Sequence, residues 1–188
     1  MVRQIVTSLL LLSLCASLHA EESPLVVGAI LPLTGGAAEG GTACKNGMTL
    51  AYEELPAAER IGLRLRFEDN AMNPASALSA YKKLSALDKA RVFVAWDSAS
   101  AHAIVPLCEA AHSPFITAVL DPKVSRGRTQ VFNYWVTPEA IAKAQIDESL
   151  RRGYRRIARV TALHEGILAI KRSFDQENGG RLQVVLED

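Results

Sequence analysis

Beyond its opening stretch the sequence has no long apolar run. Nothing later approaches the roughly 20 residues a membrane-spanning helix needs, so the mature chain is expected to be soluble, without a membrane span. Strong charge of either sign is missing too: 21 basic side chains stand against 20 acidic ones. Such a balance offers no field for nucleic acid or for an anionic membrane. The one concentrated basic run, Arg151–Arg152–Gly153–Tyr154–Arg155–Arg156, reads as a solvated helix end leading into a strand. Cysteine is scarce, with Cys15 near the start and only Cys44 and Cys108 after it. The last two fall on helices expected to cover opposite faces of a sheet, too far apart to bridge. Two free or buried thiols and no metal site are therefore expected.

Motifs for common chemistries are also lacking. Gly35, Gly36, Gly40 and Gly41 do not make G-x-G-x-x-G, and Thr42 stands where a phosphate loop would place lysine. His164–Glu165 opens like a zinc-protease helix, but position 168 is Leu. No G-x-S-x-G elbow occurs. Ser98 and His102 are four apart and can share a helix face, yet no third group is evident to orient the histidine. The expectation is a protein that is not an enzyme and carries no cofactor.

What is present begins with an export signal. Arg3 precedes the apolar run Ile5 to Leu14, small and polar residues follow, and cleavage after Ala20 leaves a mature start near the acidic pair Glu21–Glu22. Residues 1–20 are thus expected to be a signal peptide. Removing them takes away one base and no acid, which leaves 20 against 20.

Strands and helices then alternate. Leu25–Leu31 is a continuous apolar run closed by Pro32, as in a strand buried on both faces. A glycine-rich loop, Thr34 to Gly41, leads to a helix predicted over Thr42–Glu54 and closed by Pro56. Leu63–Asp69 alternates apolar with charged residues, the pattern of a strand near a sheet edge. Asn73–Pro74 starts a helix predicted to reach about Leu87. Val92–Trp96 is a third strand, Ala101–Ala111 a helix, and Phe115–Val119 a fourth strand. This order predicts an α/β fold with a doubly wound, mainly parallel sheet.

After about Val136 the pattern restarts, with a helix from Pro138 to Arg152, a strand over Ile157–Ala162, a helix over Leu163–Asn178 and a strand over Leu182–Leu186. Two strands and two helices make a poor isolated unit. The expected organisation is therefore an amino-terminal lobe over residues 24–137 and an incomplete second α/β lobe over 138–188.

In open α/β sheets the ligand sits beyond the carboxyl ends of the strands, here the loops Pro32–Gly41, Asp69–Asn73, Asp97–Ser100 and Leu120–Ser125. The third offers Ser98 or Ser100 where a strand hands over to a helix, a seat for a carboxylate. The alternative is that these serines cap the helix internally, and both stay open.

At these residues the sequence resembles the leucine/isoleucine/valine-binding family of periplasmic solute-binding proteins, the type I periplasmic-binding-protein fold that serves ABC importers. The resemblance is carried by Val27–Gly28–Ala29–Ile30–Leu31–Pro32–Leu33–Thr34–Gly35, by Lys45–Asn46–Gly47–Met48, by Glu68–Asp69–Asn70, by Asn73–Pro74–Ala75, and by Ile104–Val105–Pro106–Leu107 before Pro114–Phe115–Ile116–Thr117. It implies a periplasmic substrate-binding protein that traps an amino acid or related small polar solute between two lobes and delivers it to a transporter permease. It implies a carboxylate seat at Ser98, Ala99 and Ser100, and an ammonium site in the loop of Val119 and Asp121. Gly40 stands where such proteins often carry an aromatic residue. Trp96 and Asp97 replace the usual glycine and proline, and an acid there repels an anion unless it is turned away. The family's usual length is about twice the mature chain, so the second lobe is expected to be truncated. The alternatives are the ligand-sensing domain of a signalling receptor and an exported α/β enzyme.

Overall fold

The computed structural model describes residues 23–163 and 165–188. The expected export signal lies outside the described residues. Strand β1 (Leu25–Leu31) runs parallel between β2 (Leu63–Asp69) and β3 (Val92–Ala95). Its unbroken apolar run follows from that central place, because both faces meet protein. The alternating β2 occupies the edge, in the sheet order β2-β1-β3-β4-β5, where β4 is Phe115–Thr117 and β5 is Val131–Asn133. All five strands are parallel. The short β5 was not anticipated, since three residues are too few to display a period.

Helix α1 spans Ala38–Glu53, preceded by a single 3-10 turn at Gly35–Ala37. It begins four residues earlier than the sequence predicts, so Gly40 and Gly41 are helical rather than part of a loop. The reason is close approach: a Cβ on Gly41 would lie 2.0 Å from the Pro32 carbonyl oxygen. Only glycine lets this helix press its backbone against the end of β1. The short helix α2 (Ala57–Ile61) then leads into β2.

Helix α3 (Pro74–Ala86) starts as predicted, with the Asn73 side chain accepting from the Ala75 and Ser76 amides at 2.8 and 3.2 Å. Helix α4 (Ser98–Ala110) starts three residues before its predicted position, capped by Asp97. Together α3 and α4 close one face of the sheet. The core there includes Ile30, Leu84, Phe93, Ile104 and Phe115, all fully buried. Cys108 is buried among them and burial pushes its thiol up to about 12, whereas Cys44 is half-buried on α1; both are free.

The second sheet holds β6 (Arg156–Arg159) and β7 (Gln183–Glu187), paired in parallel and flanked by α5 (Pro138–Arg151) and α6 (Glu165–Asn178). Its core is small: Ala142, Ile146, Phe174 and Leu182. No described helix is long and apolar enough to cross a membrane.

Candidate functional site

The chain runs outward from β1 to β2, then returns past β1 to β3, so the loops after β1 and β3 diverge and open a crevice at that switch point. A cavity of about 400 Å³ lies there. Ala37 comes from the loop after β1 and Met72 from the loop after β2. Trp96, Asp97 and Ser98 follow β3, and Ala118 and Leu120 follow β4. The far wall is Trp135, ahead of α5, with Ala162 beyond β6 and Ile167 on α6. Segments following strands of both sheets therefore line one open cleft, and its walls are mainly apolar.

Hydrogen bonds between loops hold these walls. Asp69 straps the first loop to the second, accepting from the Leu33 amide at 2.8 Å, the Thr34 hydroxyl at 2.5 Å and the Ala71 amide at 2.9 Å. The Thr34 hydroxyl, with those amides, holds its carboxyl below the usual range. Asn70, fully buried, links the second loop to the third. Its amide nitrogen donates to Asp97 Oδ2 at 2.7 Å and to Ser100 Oγ at 2.8 Å, while its oxygen accepts from the Met72 amide at 3.2 Å. Ala71 and Met72 both sit at positive φ, 46° and 56°. Neither is glycine, so the loop stores strain that these bonds hold in place, and Met72 reaches the cavity.

Asp97 lines the cavity with both carboxylate oxygens already engaged. One oxygen takes the Asn70 bond and the other accepts from the Ser100 amide at 2.8 Å, which caps α4. The amides of Ser98, Ala99 and Ser100 have no intrahelical acceptor, and Asp97 satisfies the third of them. The Ser98 and Ala99 amides thus remain open at the positive end of α4. Ser98 lines the cavity at 2% exposure, and no described residue hydrogen-bonds its hydroxyl. Hydroxyl and amides together can receive an anionic oxygen.

The other sequence-predicted positions are placed differently. Ser100 accepts from Asn70 on the inner side of the loop. Val119 is buried in the core, its amide donating to Asn133 Oδ1 at 3.0 Å while its carbonyl accepts from Asn133 Nδ2 at 2.9 Å. Asp121 is buried as well, bonded to His102 Nε2 at 2.8 Å and to the Lys123 amide at 3.0 Å. Burial raises its pKa, but His102 and Lys123 outweigh that and leave the carboxyl low. Gly40 lies under Trp96, where a Cβ would come within 2.6 Å of the indole ring. Of the six, Ser98 lines the cavity and its neighbour Ala99 completes the open helix end.

Asp121 also corrects the reading that nothing orients His102. A carboxylate does, but among the described residues no hydrogen bond joins Ser98 to His102, so no serine–histidine relay is assembled. Asn70, Met72 and Leu120 fall in loops that the sequence marks as ligand-facing without being singled out there, and Trp135 lies outside them. The one available signal was that Trp96 and Trp135 are the only tryptophans.

Comparison with known proteins places the fold. The fold is similar to a solute binding protein of an ABC transporter from Rhodopseudomonas palustris BisB5, solved in complex with 3,4-dihydroxy benzoic acid, with TM-score 0.77 and 21% identity over 87% of this chain and 46% of that one. It is also similar to the leucine binding protein LivK from Thermotoga maritima, with TM-score 0.76 and 24% identity over 86% of this chain and 48% of that one. A third is the branched-chain amino acid transporter substrate binding protein LivJ from Streptococcus pneumoniae, in complex with isoleucine, with TM-score 0.76 and 20% identity over 88% and 49%. The chain thus spans about half the length of these structures. No curated protein sequence matches it. The family model for periplasmic binding protein matches residues 24–177, and the chain belongs to that family.

Proposed function

We propose that this chain captures a small carboxylate-bearing solute outside the cytoplasmic membrane, as the substrate-binding component of an ABC importer, and passes it to the permease. Residues 24–137 form one lobe in this reading, and residues 138–188 belong to a second that closes over the cavity. The solute's carboxylate sits on the Ser98 hydroxyl and the Ser98 and Ala99 amides. Ser100, Val119 and Asp121 support the surrounding loops, and Gly40 gives Trp96 its room. No bond is made or broken.

The observation that carries this reading is the Ser98 hydroxyl, which no described residue hydrogen-bonds, at the open end of α4 on a cavity lined from both sheets. Two relatives whose bound ligands are named hold 3,4-dihydroxy benzoic acid and isoleucine, and the feature these molecules share is a carboxylate. Hydrogen bonds to a charged group contribute about 1.5–3 kcal/mol each. Ser98→Ala should therefore weaken binding of a carboxylate ligand by roughly 10- to 100-fold while leaving the melting temperature nearly unchanged. Calorimetry across a panel of carboxylates and their amides tests this, and equal affinity for acid and amide would remove the seat.

A further inference from the structure

The cavity is polar at Asp97 and Ser98 and otherwise lined by apolar residues, and the apolar part distinguishes between kinds of carboxylate. We propose that the ligand is an aromatic carboxylate without an ammonium group, its head on Ser98 and its ring against Trp96 and Trp135. This rests on the carboxylate reading above and narrows it.

An ammonium group taken from water needs an acidic or well-aligned acceptor, or its burial is unfavourable. Among the described residues the cavity offers one acid, Asp97, and each of its oxygens already accepts a hydrogen bond, from Asn70 or from the Ser100 amide. Asp121, the acid the sequence suggested for an amine, is not part of the cavity wall. It is buried and paired with His102. An α-amino acid seated by its carboxylate would thus meet no free acidic side chain among the described residues that line the cavity.

The same walls suit a π-surface. Trp96 is fixed against the first turn of α1, where only the missing side chain of Gly40 makes room for the ring. Met72 is presented by a left-handed loop segment held by Asp69 and Asn70. Indole and thioether both interact with an aromatic ring beyond simple area burial.

The test uses 3-phenylpropanoate and phenylalanine, which differ only in the α-ammonium, together with 3-phenylpropanamide and 3-cyclohexylpropanoate. Both tryptophans of the chain line the cavity, so intrinsic fluorescence reports occupancy directly, with calorimetry as the second readout. The expected result is that 3-phenylpropanoate binds at least tenfold tighter than phenylalanine and several-fold tighter than its saturated analogue. Trp135→Leu, at a half-exposed position, should weaken 3-phenylpropanoate at least fivefold with the unfolding midpoint retained. Phenylalanine binding as tightly as 3-phenylpropanoate, or the saturated acid doing so, overturns this inference and leaves the carboxylate seat standing. The amide binding as tightly as the acid, or no probe binding at all, overturns the seat and this inference with it.

Discussion

The two sheets are built from the same alternation of strand and helix, yet they bury it very unequally. In the five-stranded sheet α3 and α4 close one face over a continuous apolar cluster, with Phe93 and Phe115 wholly shielded. In the two-stranded sheet four residues make the core, while Val160, Leu163, Val185 and Leu186 stand exposed. Charge takes up part of the task there. Arg159 lies over the Phe174 ring at 5.4 Å and pairs with Asp175 and Glu187, and Lys171 pairs with the same two acids. Strand number explains the contrast, because two strands cannot enclose what five can.

The largest effect expected from breaking this comparison comes from Phe93→Ala. The ring is fully buried and lies 4.5 Å from that of Tyr81, so its removal should cost about 3–5 kcal/mol. Phe174→Ala deletes the same chemistry from the smaller core and should act locally. Hydrogen exchange should show protection lost in β6 and β7 but kept in β1 and β3. If either substitution erases protection across both sheets alike, the molecule unfolds as one unit and the contrast is only geometric.

Next in size is Asn70→Ala, which tests how firmly the first sheet holds its loops. The substitution strands Asp97 Oδ2 and Ser100 Oγ in a buried place and frees the half-buried Met72 amide. A cost of about 1–3 kcal/mol is expected, as for an unsatisfied buried polar group. Thermal unfolding measures it. Ligand affinity should fall as well, since Asp97 would then be free to turn toward the seat.

Much of this arrangement was legible in the sequence, and the part that was not has identifiable causes. Apolar runs, the Asn73–Pro74 start and the spacing of strands place β1 to β4 and α3 correctly, because those signals are local. The loop ends of the strands mark the crevice, and Ser98 lies in it. The start of α1 was misread because Gly40 and Gly41 look like loop residues, while their true constraint is contact with Trp96, far away in sequence, and with the Pro32 carbonyl just past β1. Asp121 carried no mark of its bond to His102, nineteen positions earlier. The cavity wall draws single residues from separate segments, so its apolar character has no period to read.

The smallest effect concerns acid, and it separates the sheets by the kind of partner each carboxylate has. Asp69 is held below its usual pKa by the Thr34 hydroxyl and by backbone amides, all neutral donors. Asp175 is lowered mainly by Arg159, and Glu187 mainly by Lys171 and then Arg159. Each depressed pKa means that the folded state binds protons less readily than the unfolded chain, whose carboxylates titrate near 4. The stability they contribute is therefore complete above about pH 5 and is lost as pH falls through the lower folded values. Salt distinguishes the two cases. At 1 M the screening length falls to about 3 Å, which weakens exposed ion pairs but leaves short bonds to neutral donors largely intact. Unfolding curves between pH 5 and 2 should thus flatten for β6 and β7 when salt is raised, while the Asp69 contribution persists. Asp69→Asn should remove that persistent part of the slope, and an unchanged slope would mean that the strap between the first two loops contributes nothing to folding.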